Sequence, residues 1–176
     1  MSEPAEEPLV DLIVEAPAWE HALPEINHVA THAVQLALES AGLEPDGYSV
    51  CVLACDDDRI ATLNADHRGK PGATNVLSWP AEDLSPDVPG APPRAPSEGG
   101  SGMRTLLGDV AIALQTIERE AAAASIPLKN HAIHLILHGC LHLLGFDHET
   151  PEDAERMEGL ESRAMVAVGL PDPYLV

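Results

Sequence analysis

The apolar segment 128–144 carries four histidines at helical spacing, and no other feature constrains the fold of this chain as strongly. The four are His131, His134, His138 and His142. At about 100° per residue they fall on one stripe of a helix, with His138 and His142 one turn apart. Gly145 can take the left-handed conformation that ends a helix, so the chain can turn back and bring His148 to the same point. The spacing H-x3-H-x5-H therefore predicts a metal site made by His138, His142 and His148.

The three predicted ligands are typical of a catalytic zinc site. Three neutral imidazoles leave the charge of the ion uncompensated and a fourth position open, where a bound water acquires a pKa of about 7. Cys140 cannot close this position, because two residues along a helix place it roughly 160° away from His138. We therefore expect one Zn²⁺, although imidazole also binds other divalent metals.

The same ligand spacing occurs in zinc peptidases of the metzincin type, which share H-E-x-x-H-x-x-G-x-x-H. This chain reads HGCLHLLGFDH, with Gly139 in the position of the glutamate that serves those enzymes as general base. The ligands are present without that base. A peptidase or another zinc hydrolase is therefore the weaker alternative.

The remaining pattern predicts a single α+β domain over residues 1–176. We expect a small mixed four-stranded sheet packed with about five helices, one of them a metzincin-like metal-site helix. The predicted strands are 9–14, 48–54, 74–79 and one within 107–114. The predicted helices are 24–42, 56–64, 115–125, 128–144 and 151–168. Residues 80–102 hold six prolines and four glycines and are interpreted as a loop insertion rather than a functional lid.

Composition limits the partners of the chain. It has 9 basic and 29 acidic residues, so its surface as a whole should repel nucleic acid. A local basic cluster can still act, since exposed charges more than about 8–10 Å apart are largely screened. The acidic N-terminus and the lack of a long apolar run favour a cytoplasmic protein without a membrane anchor. Three cysteines, an odd number, do not indicate a disulfide framework.

Four separated segments resemble the YbeY family of bacterial endoribonucleases. They are LNADHRGKPGATNVLSWP, LLGDVAI, HGCLHLLGFDH and MEGLESRAMVAVGLPDPY, in this order over residues 63–174. The resemblance implies a zinc-dependent enzyme that cuts single-stranded RNA in the maturation of the 16S ribosomal RNA 3′ end and in quality control of the small ribosomal subunit. It also implies an assembly GTPase or a ribosomal protein as a partner, and neither DNA nor membrane.

The resemblance and the positions of single residues suggest roles outside the histidine cluster. Arg68 matches an arginine of the family and is the expected catalytic cation, since guanidinium pairs bidentately with phosphate. Asp147 is expected to accept a proton or to orient a ligand. The remaining candidates for substrate binding are Lys70, Asn75 and Ser78. Asp109, a carboxylate inside an apolar predicted strand, and His134 are candidates for a place behind the ligands. The family has Asp-Lys-Pro where this chain has Pro71-Gly72-Ala73, so one basic residue is missing.

One further hypothesis remains open from the sequence. The chain could be a ribosome assembly factor without catalytic activity, whose metal is structural. The acidic net charge of −20 is the observation that keeps this hypothesis in view, because it weakens the expected affinity for RNA.

Overall fold

The computed structural model describes residues 6–98 and 102–175, and their strands and helices lie close to the predicted positions. The strands are β1 (Val10–Val14), β2 (Tyr48–Cys55), β3 (Val76–Pro80) and β4 (Thr105–Ala113). The helices are α1 (Ala18–Ala22), α2 (Ile26–Ser40), α3 (Asp57–Arg68), α4 (Leu114–Ala124), α5 (Leu128–Leu143) and α6 (Pro151–Ala167), with a 3₁₀ turn at Pro45–Gly47. The α+β prediction is confirmed. The described residues form six α-helices rather than about five, because the five-residue α1 is too short to show a periodic pattern.

The four strands form one mixed sheet in the order β1-β2-β4-β3. β1, β2 and β4 are parallel, and β3 runs antiparallel to β4 at the edge of the sheet. Ser78 of β3 pairs with Val110 of β4 in this register. The edge strand therefore lies beside the helix that carries the histidines, because α5 packs against both β3 and β4.

The two faces of the sheet bury different helices. Val52, Val110 and their neighbours on one face belong to the main core, which includes residues of α2 and α5. Leu77 and Ala111 on the other face form a smaller cluster with Ile60 of α3. Since side chains alternate along a strand, α3 and α5 lie on opposite faces of the sheet.

Local signals set the ends of the helices near the site. The Asp56 carboxylate accepts a hydrogen bond from the Arg59 backbone N–H and caps α3. The Thr150 hydroxyl accepts from the Asp153 backbone N–H at the start of α6, where Pro151 occupies the first turn. These caps fix where each helix begins, and so fix the direction in which its side chains point.

The segment between β3 and β4 has no helix or strand in its described parts, residues 81–98 and 102–104, and the first of these is called here the 81–98 loop. Leu84 in this loop is buried. No helix in the described ranges has both the length and the apolar character needed to cross a membrane. All three cysteines are free thiols, and burial raises the pKa of Cys140 to about 12.

Candidate metal centre

The structure brings His138, His142 and His148 together at the C-terminal end of α5. One ring nitrogen of each lies within 4.8 Å of the other two. The Nε2 atoms of His138 and His142 are 3.1 Å apart. Three nitrogens bound tetrahedrally to one zinc ion at about 2.0–2.1 Å lie roughly 3.3 Å from one another. The three histidines therefore fit a single small cation with no rearrangement of the helix.

The third histidine reaches the site because the chain reverses direction just after α5. Gly145 has a φ of +94°, a conformation that side chains other than glycine rarely adopt. The Phe146 backbone N–H donates to the Leu141 carbonyl across this turn. The centroid of the His148 ring then lies 5.4 Å from that of His138 and 5.2 Å from that of His142.

Hydrogen bonds on the far side of the two helical imidazoles fix their tautomers. Nδ1 of His138 lies 2.6 Å from Oε1 of Glu161, and Nδ1 of His142 lies 3.0 Å from the Phe146 carbonyl oxygen. Both acceptors require a proton on Nδ1, so each Nε2 keeps its lone pair for a metal ion. This pairing of an inward lone pair with an outward N–H is the arrangement found at metal-binding histidines.

Glu161 of α6 is the centre of a buried polar network behind the ligands. Its side chain is fully buried and accepts from His138, from Nε2 of His134 at 2.9 Å and from the Tyr174 hydroxyl. Burial alone would raise the pKa of Glu161, but the bonds from His134, His138 and Tyr174 outweigh it and lower the pKa to about 2. The carboxylate is therefore ionised and places a negative charge directly behind His138.

Neither Glu161 nor Tyr174 was among the residues singled out from the sequence. A signal for Glu161 is present, because it shares one face of α6 with the buried residues Met157, Ala164 and Met165. A carboxylate on the apolar face of a helix requires a partner.

The environment of His142 lowers its pKa to about 4, through burial and then through the nearby His138. The unfolded chain, with a histidine pKa of about 6.5, binds more protons between these two values. The free energy of unfolding of the metal-free protein should thus fall by on the order of 1–2 kcal/mol from about pH 7 to about pH 5 through this residue. Urea unfolding of the metal-free protein and of His142→Asn tests this, since the variant should lose that part of the pH dependence.

The two residues expected behind the ligands, His134 and Asp109, lie on different sides of the sheet. His134 contacts Glu161 and so lies behind His138. Asp109 is exposed on the opposite face of the sheet, where its register partners are Cys51 and Trp79. In the described structure it makes no hydrogen bond to a histidine, because the neighbouring Val110 is the residue that faces α5. The carboxylate that contacts the ligands is instead that of Glu161.

Asp147 lies within the turn that carries His148. Its Oδ1 accepts a hydrogen bond of 2.8 Å from the His148 backbone N–H. This contact shapes the turn, as an aspartate commonly does. The second carboxylate oxygen makes no hydrogen bond to a described residue, so it is available to a bound molecule.

Ser78 and Asn75 lie on the edge strand or directly before it, and both bind protein groups. The Ser78 hydroxyl donates to the Gly139 carbonyl at 3.0 Å, which ties β3 to α5 one residue after His138. The Asn75 amide donates to both Glu120 carboxylate oxygens at 3.1 Å. Oε2 of Glu120 lies 2.7 Å from Nε2 of His131, so His131 belongs to this second network and not to the metal group.

Arg68 and Lys70 are exposed where α3 ends and the chain crosses toward the edge strand. Within the described ranges Arg68 forms no hydrogen bond or ion pair with the protein. The segment that follows is held against α3 by the bond from the Asn64 amide to the Gly72 carbonyl. α3 itself lies on the face opposite to α5, so any approach of Arg68 to the metal group is around the edge at β3.

Gly139 is where α5 touches the sheet. A Cβ atom at this position would lie 2.9 Å from Cγ1 of Val110 and 3.2 Å from both Cγ2 of Val76 and Oγ of Ser78. These distances are shorter than ordinary van der Waals contacts, so a larger side chain would require the neighbouring side chains or the helix to shift. The close packing of α5 on the sheet thus favours glycine at the position where the peptidases have glutamate.

The comparisons with known proteins agree on one family. The family model described as Endoribonuclease YbeY matches residues 14–169. Endoribonuclease YbeY of Dinoroseobacter shibae is 52% identical over 165 residues, which are 94% of this chain and 90% of that protein. The protein of the same name from a Jannaschia species is 49% identical, again over 94% of this chain and over 99% of its own. A solution structure from Thermotoga maritima covers 95% of this chain and 99% of its own with a TM-score of 0.49 and 17% identity, a likeness too weak to support any statement about this chain.

Proposed function

This chain belongs to the endoribonuclease YbeY family, and on that ground we propose that it cuts single-stranded RNA with one zinc ion held by His138, His142 and His148. The resemblance seen in the four sequence segments is thereby confirmed. The chain is an enzyme that hydrolyses RNA. The choice of zinc and the parts played by individual residues are inferred from the site.

One observation above all supports the metal-dependent reading. His138 and His142 direct their Nε2 atoms at a common point, while their Nδ1 atoms are occupied by Glu161 and the Phe146 carbonyl. Two imidazoles that only stabilised the fold would not need adjacent lone pairs facing each other. A zinc ion at this point would supply a Lewis acid and an acidic bound water at neutral pH.

The residues of this chain divide the remaining tasks. Arg68 binds the phosphate of the scissile bond, because its guanidinium is exposed and makes no bond to a described residue. Lys70, two residues further along the same exposed segment, adds a positive charge for the neighbouring phosphate. Ser78 and Asn75 shape the edge strand along which the RNA lies.

Asp147 is the residue that we assign to proton transfer. It is next to His148, and its second carboxylate oxygen makes no hydrogen bond to a described residue. A carboxylate at this place can accept the proton of an attacking hydroxyl group and thereby replaces the base that Gly139 leaves out. Glu161 does not serve this purpose, because it is fully buried and already accepts three hydrogen bonds.

The family and the charge of the chain both bear on the choice of biological substrate. We propose the 3′ end of 16S ribosomal RNA as the target, together with quality control of the small subunit, in the cytoplasm. A net charge of −20 disfavours tight binding of RNA by the surface as a whole. A small subunit, with an assembly GTPase or ribosomal protein on it, would supply contacts that the chain itself lacks.

The deciding experiment measures cleavage of a single-stranded RNA by the purified protein after chelation and after reloading. We expect cleavage by the zinc-loaded protein, loss after chelation, recovery with zinc, and little cleavage of a duplex of the same sequence. Metal content is measured in each sample. Undiminished cleavage by fully chelated protein would exclude the metal-dependent mechanism. Zinc binding without any cleavage, together with cosedimentation with small subunits, would favour the assembly factor.

The same assay tests Arg68. Arg68→Ala should lower the cleavage rate by about 10²-fold while its zinc content stays that of the wild type, since the change removes only a phosphate contact. Arg59→Ala is the matched control, because Arg59 lies on the same helix and pairs with Glu15 at 3.2 Å. Equal rates for both variants would remove Arg68 from the mechanism.

A further inference from the structure

The backbone of Leu84 in the 81–98 loop rests directly on the turn that presents His148. A Cβ atom placed on Gly145 would lie 2.5 Å from the Leu84 carbonyl oxygen. Leu84 itself is only 3% exposed, so this contact is closed to solvent. The turn and the loop are therefore packed against each other, without space for a side chain between them.

A second contact joins the same loop to the first two turns of α6. The Gly90 backbone N–H donates to Oδ1 of Asp153 at 2.8 Å, and the Arg156 guanidinium donates to the Gly90 carbonyl at 2.6 Å. One peptide group on each side of Gly90 is thus held by a charged side chain of α6. Asp153 also accepts from the Thr150 hydroxyl, so the loop and the N-terminal cap of α6 share one carboxylate.

Hydrogen bonds within the loop connect these two contacts. The Arg94 backbone N–H donates to the Leu84 carbonyl at 2.9 Å, and the Arg94 guanidinium donates to the Asp83 carbonyl at 2.9 Å. Ser97 donates to the Glu82 carboxylate and closes the base of the loop. Because these bonds hold the loop in one conformation, its attachment to α6 at Gly90 can stabilise its contact with Gly145.

Of the three metal-binding histidines, His148 is the one that most needs external support. His138 and His142 are on α5, and their outer nitrogens are bonded to the protein. His148 is exposed and lies outside any helix, and within the described ranges its ring makes no hydrogen bond. Its position depends on the turn at 145–148, which Leu84 covers on one side and Thr150 and the start of α6 follow on the other.

We propose that the 81–98 loop is a positioning element for the metal centre: it packs on the 145–148 turn at Leu84, is fixed to α6 at Gly90, and so sets the affinity for the ion through His148. Arg156 and Asp153 act through Gly90, and Leu84 acts through Gly145. None of these residues touches the ion. This inference rests on the proposed function, because it presumes that the three histidines bind zinc. It assigns a role to a segment that the sequence indicated only as an insertion.

The test measures zinc affinity by competition with a chromophoric chelator, and the ligand set by the visible spectrum of the Co²⁺-substituted protein. Arg156→Ala should weaken zinc binding roughly tenfold, and replacement of residues 82–103 by a short Gly-Ser turn by about 10–100-fold, the range usual for groups that orient metal ligands. In both variants the cobalt spectrum should change, because the His148 imidazole is no longer held in its orientation toward the ion. Arg156→Lys should recover part of the affinity, because lysine can still donate to the Gly90 carbonyl.

Arg59→Ala is the matched control for the loss of an exposed arginine, and it should bind zinc as the wild type does. Wild-type zinc affinity and an unchanged cobalt spectrum in Arg156→Ala and in the shortened chain would overturn the positioning role while leaving the proposed function intact. Failure of the wild-type protein to bind zinc would overturn the proposed function, and the role of the loop with it. If the shortened chain does not fold, Arg156→Ala decides the question alone.

Discussion

Replacing His142 with alanine is expected to abolish measurable zinc binding at micromolar metal and to lower RNA cleavage by about 10³-fold or more. The variant keeps two imidazoles, too few to hold the ion tightly. The stabilisation that a metal gives to developing charge is several kcal/mol, and about 4 kcal/mol corresponds to a factor of 10³ in rate. Metal content and single-turnover cleavage of a single-stranded RNA are the two measurements.

His131→Ala is the matched control for this change. His131 lies on the same stripe of α5, but its Nε2 is 2.7 Å from Glu120 and it is outside the metal group. Its removal should leave both zinc content and cleavage rate near the wild-type values. A His142→Ala protein that has lost its zinc and still cuts RNA at the wild-type rate would contradict the role given to the metal.

Replacing Glu161 with alanine should weaken zinc binding by about 10–100-fold and lower the free energy of unfolding by about 3–5 kcal/mol. The carboxylate is fully buried and accepts from two imidazoles and a phenol, so its loss leaves three donors without a partner. His138 also loses the acceptor that holds its tautomer. Competition titration with zinc and urea unfolding of the metal-free protein measure the two effects separately.

Two variants show which property of Glu161 matters. Glu161→Gln keeps the shape but has one acceptor oxygen and one amide donor, so it can serve only one of the two histidines and should lie between wild type and Glu161→Ala. Glu120→Ala removes a similar contact to His131, with a side chain that is 40% exposed, and should not change zinc affinity. Wild-type affinity in Glu161→Ala would show that the buried network stabilises the fold without tuning the metal.

The helix of the metal site was predictable because its signals are local. The stripe of histidines, the apolar positions between them and Gly145 all lie within one short segment, and their spacing requires the helix and the turn that the structure shows. The strands were predicted within a few residues for the same reason. Their order in the sheet was not predictable, since β4 inserts between β2 and β3 through contacts distant in sequence.

The partners of the histidines were harder to predict. The chain has 29 acidic residues. Glu161 differs from most of them because it is buried, and its burial is known only once α6 has packed against its neighbours. Asp109 attracted attention as a carboxylate within an apolar strand, but a strand has two faces, and which one meets α5 is decided by the register of the whole sheet. The contact between Leu84 and Gly145 likewise depends on the conformation of a loop rich in proline, for which sequence spacing provides no rule.

The packing of α5 at Gly139 bears on how enzymes of different chemistry can arise from one another. Glycine and glutamate codons can differ by a single base, so the mutation that would introduce a peptidase-type base at this position is genetically close. It is structurally distant, because even a Cβ atom there would lie 2.9 Å from Val110. Either the side chains that pack on Gly139 or the helix itself would have to shift, and a shift of the helix would displace His138 and His142. A change from this scaffold toward peptide hydrolysis would therefore need a compensating change at a residue that packs on Gly139.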